Sequence, residues 1–175
     1  MNRIPAALRK KAAKIRLLLL DVDGVLTDGG IIIDDRGVET KQFHVRDGQG
    51  ISLLMRSGIE VGFITGRASH VVRRRAKDLG VRLVYQGVAN KVGCYEEIKR
   101  KHNLKDNEIA YVGDDMIDLP VLRQVGLAVC VADGWPVLFS AVDYTTTERG
   151  GRGAVREVAE LLLKAQGKWR KSISR

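Results

Sequence analysis

The chain has 175 residues, 45% of them hydrophobic, 29% charged and 5% aromatic, with a net charge of +9; this suits one domain with a sizeable core rather than two. The positive excess favours anionic partners, but much of it lies in terminal runs such as Arg9, Lys10, Lys11, Lys14 and Arg16, ordinarily a solvated face. Aromatics are too few and scattered for a nucleic-acid stacking platform, and no apolar run approaches a membrane span.

Residues 5–14 read as a short helix opened by Pro5. Leu17 to Leu20 form an apolar run without polar alternation, the pattern of a strand buried on both faces of a parallel sheet. Four leucines are too short for a signal peptide's apolar region. Cys94 and Cys130 lack disulfide or metal spacing, so a cytoplasmic protein is expected. The leucine strand ends in Asp21 and Asp23, and Gly24 and Gly29 then let the chain turn sharply and a ligand approach the backbone. Two acids at a strand's carboxyl end stand where open α/β sheets bind ligands. A hard cation such as Mg²⁺ would offset their repulsion. An aspartate can accept a phosphoryl group, and a second acid can protonate the leaving oxygen and later activate water. On this stretch alone, two acids capping a turn is the competing reading.

Asp21-Val22-Asp23-Gly24-Val25-Leu26-Thr27-Asp28 resembles the first motif of the haloacid dehalogenase superfamily of phosphohydrolases. From about Ile15 to Lys168 the chain resembles, more narrowly, the phosphatases of 3-deoxy-D-manno-octulosonate 8-phosphate, of the bacterial lipopolysaccharide pathway. The resemblance implies a three-layer, Rossmann-like α/β fold with a mainly parallel sheet and a β-hairpin insertion instead of a cap domain. It also implies Asp21 as nucleophile, Asp23 as general acid and base, and Mg²⁺ held by Asp21, Asp23 and Asp114. Its partner would be a phosphorylated sugar acid.

Downstream, Asp35-Arg36-Gly37 between β-prone runs signals a hairpin over about 30–44. A hairpin here projects from the sheet and leaves Ile31, Ile33 and Phe43 needing a cover, either this chain's own body or another subunit. The resemblance implies a homotetramer built on such hairpins. About a dozen residues cannot form a cap domain, so a phosphomutase is disfavoured. His44-Val45-Arg46-Asp47-Gly48 then leads into a helix predicted over 50–57, with Asp47 able to cap it. The resemblance makes His44 to Gly48 sugar-acid contacts. Members of the family carry arginine where this chain has Ser52.

A second buried strand ends in Thr65-Gly66-Arg67, offering a hydroxyl, a free backbone N–H and a bidentate cation to a phosphate. The helix predicted over 69–79 carries Arg73, Arg74 and Arg75. Two of these read as a solvated face, and the resemblance takes Arg75 to the substrate. A third strand is predicted over 81–85. Lys91 opens the next helix, 91–102, where the macrodipole disfavours a cation. A lysine against Asp21 would neutralise charge during phosphoryl transfer, the role of the superfamily's third motif. A fourth strand ends in Asp114, Asp115 and Asp118, an oxygen-rich cluster suited, with Asp21, to Mg²⁺. The resemblance gives Asp114 to the metal and makes Asp115 and Asp118 supporting or lysine-orienting groups.

A fifth strand, 125–131, precedes Ala132-Asp133-Gly134-Trp135-Pro136, where the family usually reads Ala-Asp-Ala-His-Pro. A glycine-rich tail bearing Arg149 and Arg152, from about 146 onward, then leads to an amphipathic helix over 154–165. It reads either as a lid closing over an anionic ligand or as a plain connector. The whole chain, 1–175, is expected to be a single phosphatase domain. The resemblance also leaves room for a nine-carbon 9-phosphate as substrate, or for a non-catalytic phosphatase-like module. Retention of Asp21, Asp23, Thr65, Lys91 and Asp114 argues against the module.

Overall fold

A computed structural model describes residues 4–173. In chain order the elements are α1 (Ala6–Ala12), β1 (Leu17–Leu20), β2 (Ile32–Ile33), β3 (Glu39–Thr40), α2 (Val45–Arg56), β4 (Glu60–Ile64) and α3 (His70–Leu79). Then follow β5 (Leu83–Tyr85), α4 (Lys91–Lys101), β6 (Ile109–Gly113), α5 (Leu119–Leu122), β7 (Leu127–Cys130), β8 (Tyr144–Thr145), α6 (Ala154–Ala165) and α7 (Trp169–Ile173).

Six strands form one parallel sheet in the order β5-β4-β1-β6-β7-β8, and β2 and β3 pair antiparallel as a separate hairpin. The leucine run is the central strand, and all four of its residues are fully buried. Successive strand residues face opposite ways, so Leu18 and Leu20 join a core with residues of α1, α2, α3 and α6. Leu17 and Leu19 join the opposite core, with Tyr95 and Ile98 of α4 and Leu119 and Leu122 of α5. This is the expected three-layer α/β architecture. Among the described residues no helix is long and apolar enough to cross a membrane.

Some expectations are corrected. The helix predicted to begin at residue 50 begins at Val45, and Asp47 lies inside its first turn. The short edge strand β8 and the helices α5 and α7 carry too few periodic residues to announce themselves. Of the hairpin residues needing cover, Phe43 packs against this chain's own core, with the Arg75 guanidinium 5.6 Å from its ring centroid. Ile31, Ile32, Ile33 and Val38 stay more than half exposed.

Candidate active site

Asp21 follows the last residue of β1, and its backbone N–H donates to Val112 of β6 at 3.0 Å. The sheet order thus sets Asp21 between the end of β4, which carries Thr65, and the end of β6, which carries Asp114. Among the described residues, carboxylate oxygens of Asp21, Asp114 and Asp118 lie within 4.8 Å of one another. Lys91 comes from the start of α4 on the neighbouring crossover. Its Nζ is 3.1 Å from Asp21 Oδ1 and 2.7 Å from Asp118 Oδ1. Asn90 caps this helix by accepting from the Gly93 N–H, while two carboxylates answer the cation.

Asp118 has no solvent exposure. It accepts from Lys91, from the Tyr111 hydroxyl at 2.6 Å, and from the backbone N–H groups of Asp114 and Asp115 at 3.0 and 3.2 Å. So fully engaged, it orients Lys91 and the following loop. Tyr111 was not singled out in the sequence. The signal for it was a hydroxyl inside an aliphatic strand, which needs a buried partner. Asp115 is exposed and caps its own turn, accepting from the Met116 N–H at 2.6 Å.

Three carboxylates face one ammonium, and the balance is felt in the acidity of Asp21 and Asp114. Burial first, then Asp118, raises Asp21 to about 6 despite Lys91. Burial first, then Asp21 and Asp118, raises Asp114 to about 8. Burial works against the charge on Lys91, but Asp21 and Asp118 outweigh it and hold its pKa up. Asp114 Oδ1 is buried without a hydrogen-bond partner. Surplus negative charge, an unpartnered oxygen and oxygen-only donors fit a hard divalent cation such as Mg²⁺. Gly24 makes the arrangement possible: a Cβ there would stand 2.0 Å from Asp114 Oδ2, and its φ is +89°.

The Asp23 carboxylate points elsewhere. It pairs with Lys41 on the hairpin and lies 4.0 Å from Arg67 Nε. It is not among the three gathered carboxylates of Asp21, Asp114 and Asp118. Thr65 is buried, and its hydroxyl accepts from the Arg67 N–H at 3.3 Å. Gly66 and Arg67 are exposed beside it. Glu39 on β3 accepts from Arg67 Nη2 at 2.9 Å and lies 3.2 Å from Lys41 Nζ. Glu39 and Lys41 were also missed in the sequence. Their signal was opposite charge at i and i+2, one face of a strand.

The loop expected to bind a sugar acid divides. Val45 and Arg46 are exposed, and His44 is half-buried. Gly48 packs so closely on Arg75 that a Cβ there would meet Nη2 at 2.3 Å, and Arg73 and Arg74 face solvent. Asp47 is buried and bonded to another helix, accepting from the N–H groups of Gly153 and Arg156 at 3.2 and 2.8 Å. It caps α6 rather than its own helix. The glycine tail packs against the first loop: Gly151 N–H donates to Val25 at 2.9 Å, and Arg152 pairs with Asp28 at 3.3 Å. A Cβ on Gly150 would stand 1.7 Å from the Gly24 carbonyl oxygen, so these glycines serve close packing. Ser52 is half-buried on α2, and nothing in the structure explains that exchange.

A family profile for haloacid dehalogenase-like hydrolases matches residues 83–157. The 3-deoxy-D-manno-octulosonate 8-phosphate phosphatase of Escherichia coli (strain K12) is 52% identical over 158 residues, 90% of this chain and 84% of that protein. The crystal structure of the same-named phosphatase from Yersinia pestis superposes with a TM-score of 0.93 at 47% identity, covering 94% of this chain and 89% of that one. That from Moraxella catarrhalis, in complex with magnesium ion, phosphate ion and a KDO molecule, gives 0.93 at 43% identity, covering 95% and 96%. The chain belongs to the 3-deoxy-D-manno-octulosonate 8-phosphate phosphatase family of haloacid dehalogenase-like hydrolases.

Proposed function

We propose that this chain hydrolyses the phosphomonoester of 3-deoxy-D-manno-octulosonate 8-phosphate through an aspartyl phosphate, in the cytoplasmic synthesis of lipopolysaccharide precursors. The observation that carries this reading is the buried Asp21 carboxylate, set against Lys91 on one side and Asp114 on the other. An Asp21 oxygen attacks phosphorus as the bond to the sugar oxygen breaks, and Asp23 gives that oxygen its proton. Water then attacks the phosphorus of the aspartyl phosphate while Asp23 takes its proton, releasing phosphate and restoring Asp21.

Lys91 and the Thr65 hydroxyl hold the phosphoryl oxygens, and Asp118 and Tyr111 keep Lys91 aimed. Asp21, Asp23 and Asp114 would hold Mg²⁺, which supplies positive charge against the charge developing on the phosphoryl group. His44, Val45, Arg46, Gly48, Gly66, Arg67 and Arg75 are the candidates for sugar-acid contact. Asp47, expected in the same set, also bonds to the first turn of α6 and so ties that loop to the next helix.

The chain reads as one phosphatase domain whose hairpin replaces a cap, so the substrate is either enclosed by neighbouring subunits or itself large. The exposed isoleucines of the hairpin support a homotetramer.

The test is a panel of phosphorylated sugars and sugar acids assayed for released phosphate with and without Mg²⁺, on the native chain and on Asp21→Asn. Mg²⁺-dependent turnover is expected to be highest on the eight-carbon acid. A preference for a nine-carbon 9-phosphate would replace the substrate, and normal turnover by Asp21→Asn would overturn the mechanism.

A further inference from the structure

Lys41 is the anomaly of the hairpin. Around it Ile31, Ile32, Ile33 and Val38 lie more than half exposed, yet the lysine side chain is 1% exposed. A buried ammonium must be paired, because burial strips its hydration and only opposite charge replaces it. Its partners are Asp23, in close contact with Nζ, and Glu39 at 3.2 Å. Arg67 closes the figure, 2.9 Å from Glu39 and 4.0 Å from the other Asp23 oxygen. Two carboxylates and two cations thus alternate around a square with three close sides and one longer side of 4.0 Å between Arg67 and Asp23.

The square matters because of where Asp23 stands. It lies beyond β1, in a loop outside the sheet's hydrogen-bond ladder, so its backbone is held less tightly than that of Asp21. The contacts to its carboxylate come from Lys41 and Arg67. We propose that Lys41 is a positioning residue: clamped by Glu39 inside the hairpin, it fixes the orientation of the Asp23 carboxylate, so the hairpin aims the residue that handles the proton. The hairpin is then part of the catalytic framework as well as a surface. This rests on the reading of Asp23 as general acid and base.

The experiment is a double-mutant cycle of Lys41→Met and Asp23→Asn, with kcat and KM measured on the best phosphate ester of the panel, and melting temperature and molecular mass recorded for each variant. Lys41→Met is expected to lower kcat by about 30- to 100-fold with KM changed by less than about threefold, the scale of losing a positioned group by an ångström. Added to Asp23→Asn, it is expected to cost less than about threefold more, since an aim already lost cannot be lost again.

An unchanged kcat in Lys41→Met, an equal loss in both backgrounds, or a loss that tracks dissociation or unfolding would overturn the inference. Normal turnover by Asp23→Asn would instead remove the reading beneath it, so the two failures are distinguishable. Should Lys41→Met fail to fold, Glu39→Gln keeps the lysine and removes its clamp. Its kcat is expected to fall in the native background and to change little beside Asp23→Asn, and any other pattern counts against the proposal.

Discussion

Asp114 lies over Gly24 so closely that no β-carbon fits between them: one would stand 2.0 Å from Oδ2 and 2.5 Å from Cγ. The glycine of the first loop thus makes room for the carboxylate of another strand. Gly24→Ala would push that carboxylate aside and force an alanine into a left-handed conformation, costing about 1–2 kcal/mol by itself. A weaker hold on Mg²⁺ by tenfold or more and a turnover about 100-fold lower are expected, with the fold retained. Titration calorimetry and circular dichroism check this; an alanine variant with native Mg²⁺ affinity would contradict it.

The crowded carboxylates give the metal-free protein a definite pH dependence. Asp21 and Asp114 are raised from 3.8 to about 6 and about 8, mainly by burial. The folded protein therefore keeps protons that the unfolded chain releases, and stability is lost as pH rises from about 4 to about 8. Mg²⁺ competes with those same protons, so its affinity is expected to rise over that range and its binding to release protons near neutrality. Melting curves at several pH values, with Mg²⁺ and with a chelator, should converge at low pH and separate as pH increases. Parallel curves would mean that the cluster is not where the ion binds.

Asp47 joins α2 to the first turn of α6 through two backbone N–H groups. Removing such a cap costs about 0.5–2 kcal/mol. Asp47→Ala is expected to lower stability by about that amount, a melting shift of a few degrees in a chain of this size, while KM for the sugar-acid phosphate stays close to native. A selective rise in KM at unchanged stability would return Asp47 to the substrate loop.

The turn after β7 departs from the family pattern at Gly134 and Trp135, and the first exchange has a packing reason. A β-carbon on Gly134 would stand 2.4 Å from the Sγ of Cys130, which is buried. The sulfur and the family's alanine compete for one space. Gly134→Ala should cost about 1–3 kcal/mol by overpacking, and Cys130→Ala in the same chain should recover most of it. Trp135 N–H donates to the Asp114 carbonyl at 2.6 Å, so the single variant is also expected to weaken Mg²⁺ binding. Additive effects in chemical denaturation would refute the coupling.

The acid-ended strands were legible because their chemistry is local. Asp21 follows four apolar residues, Asp114 follows five buried ones, and the crossover rules of a parallel sheet bring the two together. Lys91 betrayed itself by opposing a helix dipole. Lys41 gave a weaker sign, its opposite charge two residues from Glu39, and a hairpin lysine looks solvated until the fold closes Asp23 and Arg67 around it. Asp47 misled for a related reason. A capping residue announces that it will cap something, but not which helix, and its partners at Gly153 and Arg156 lie more than a hundred residues away.

The hairpin carries the last prediction. Ile31, Ile32 and Ile33 are 56–57% exposed, so the ribbon presents apolar surface to solvent even though Glu39 and Lys41 tie it to Arg67 and Asp23. An isolated two-stranded ribbon is marginal in water, and apolar residues on this scale mark a surface that meets a partner. If the proposed homotetramer is built on the hairpin, converting Ile31 and Ile33 to aspartate adds charge at its contact, and a tetramer is expected to fall apart at micromolar concentration. Because Lys41 and Glu39 hang from the same ribbon, kcat is expected to decline with it while Mg²⁺ affinity, set by the sheet, persists. Sedimentation velocity, alongside activity and calorimetry, follows the three quantities separately. An unchanged mass would remove the hairpin as the contact, and a loss of Mg²⁺ binding in step with kcat would show that the sheet had been disturbed as well.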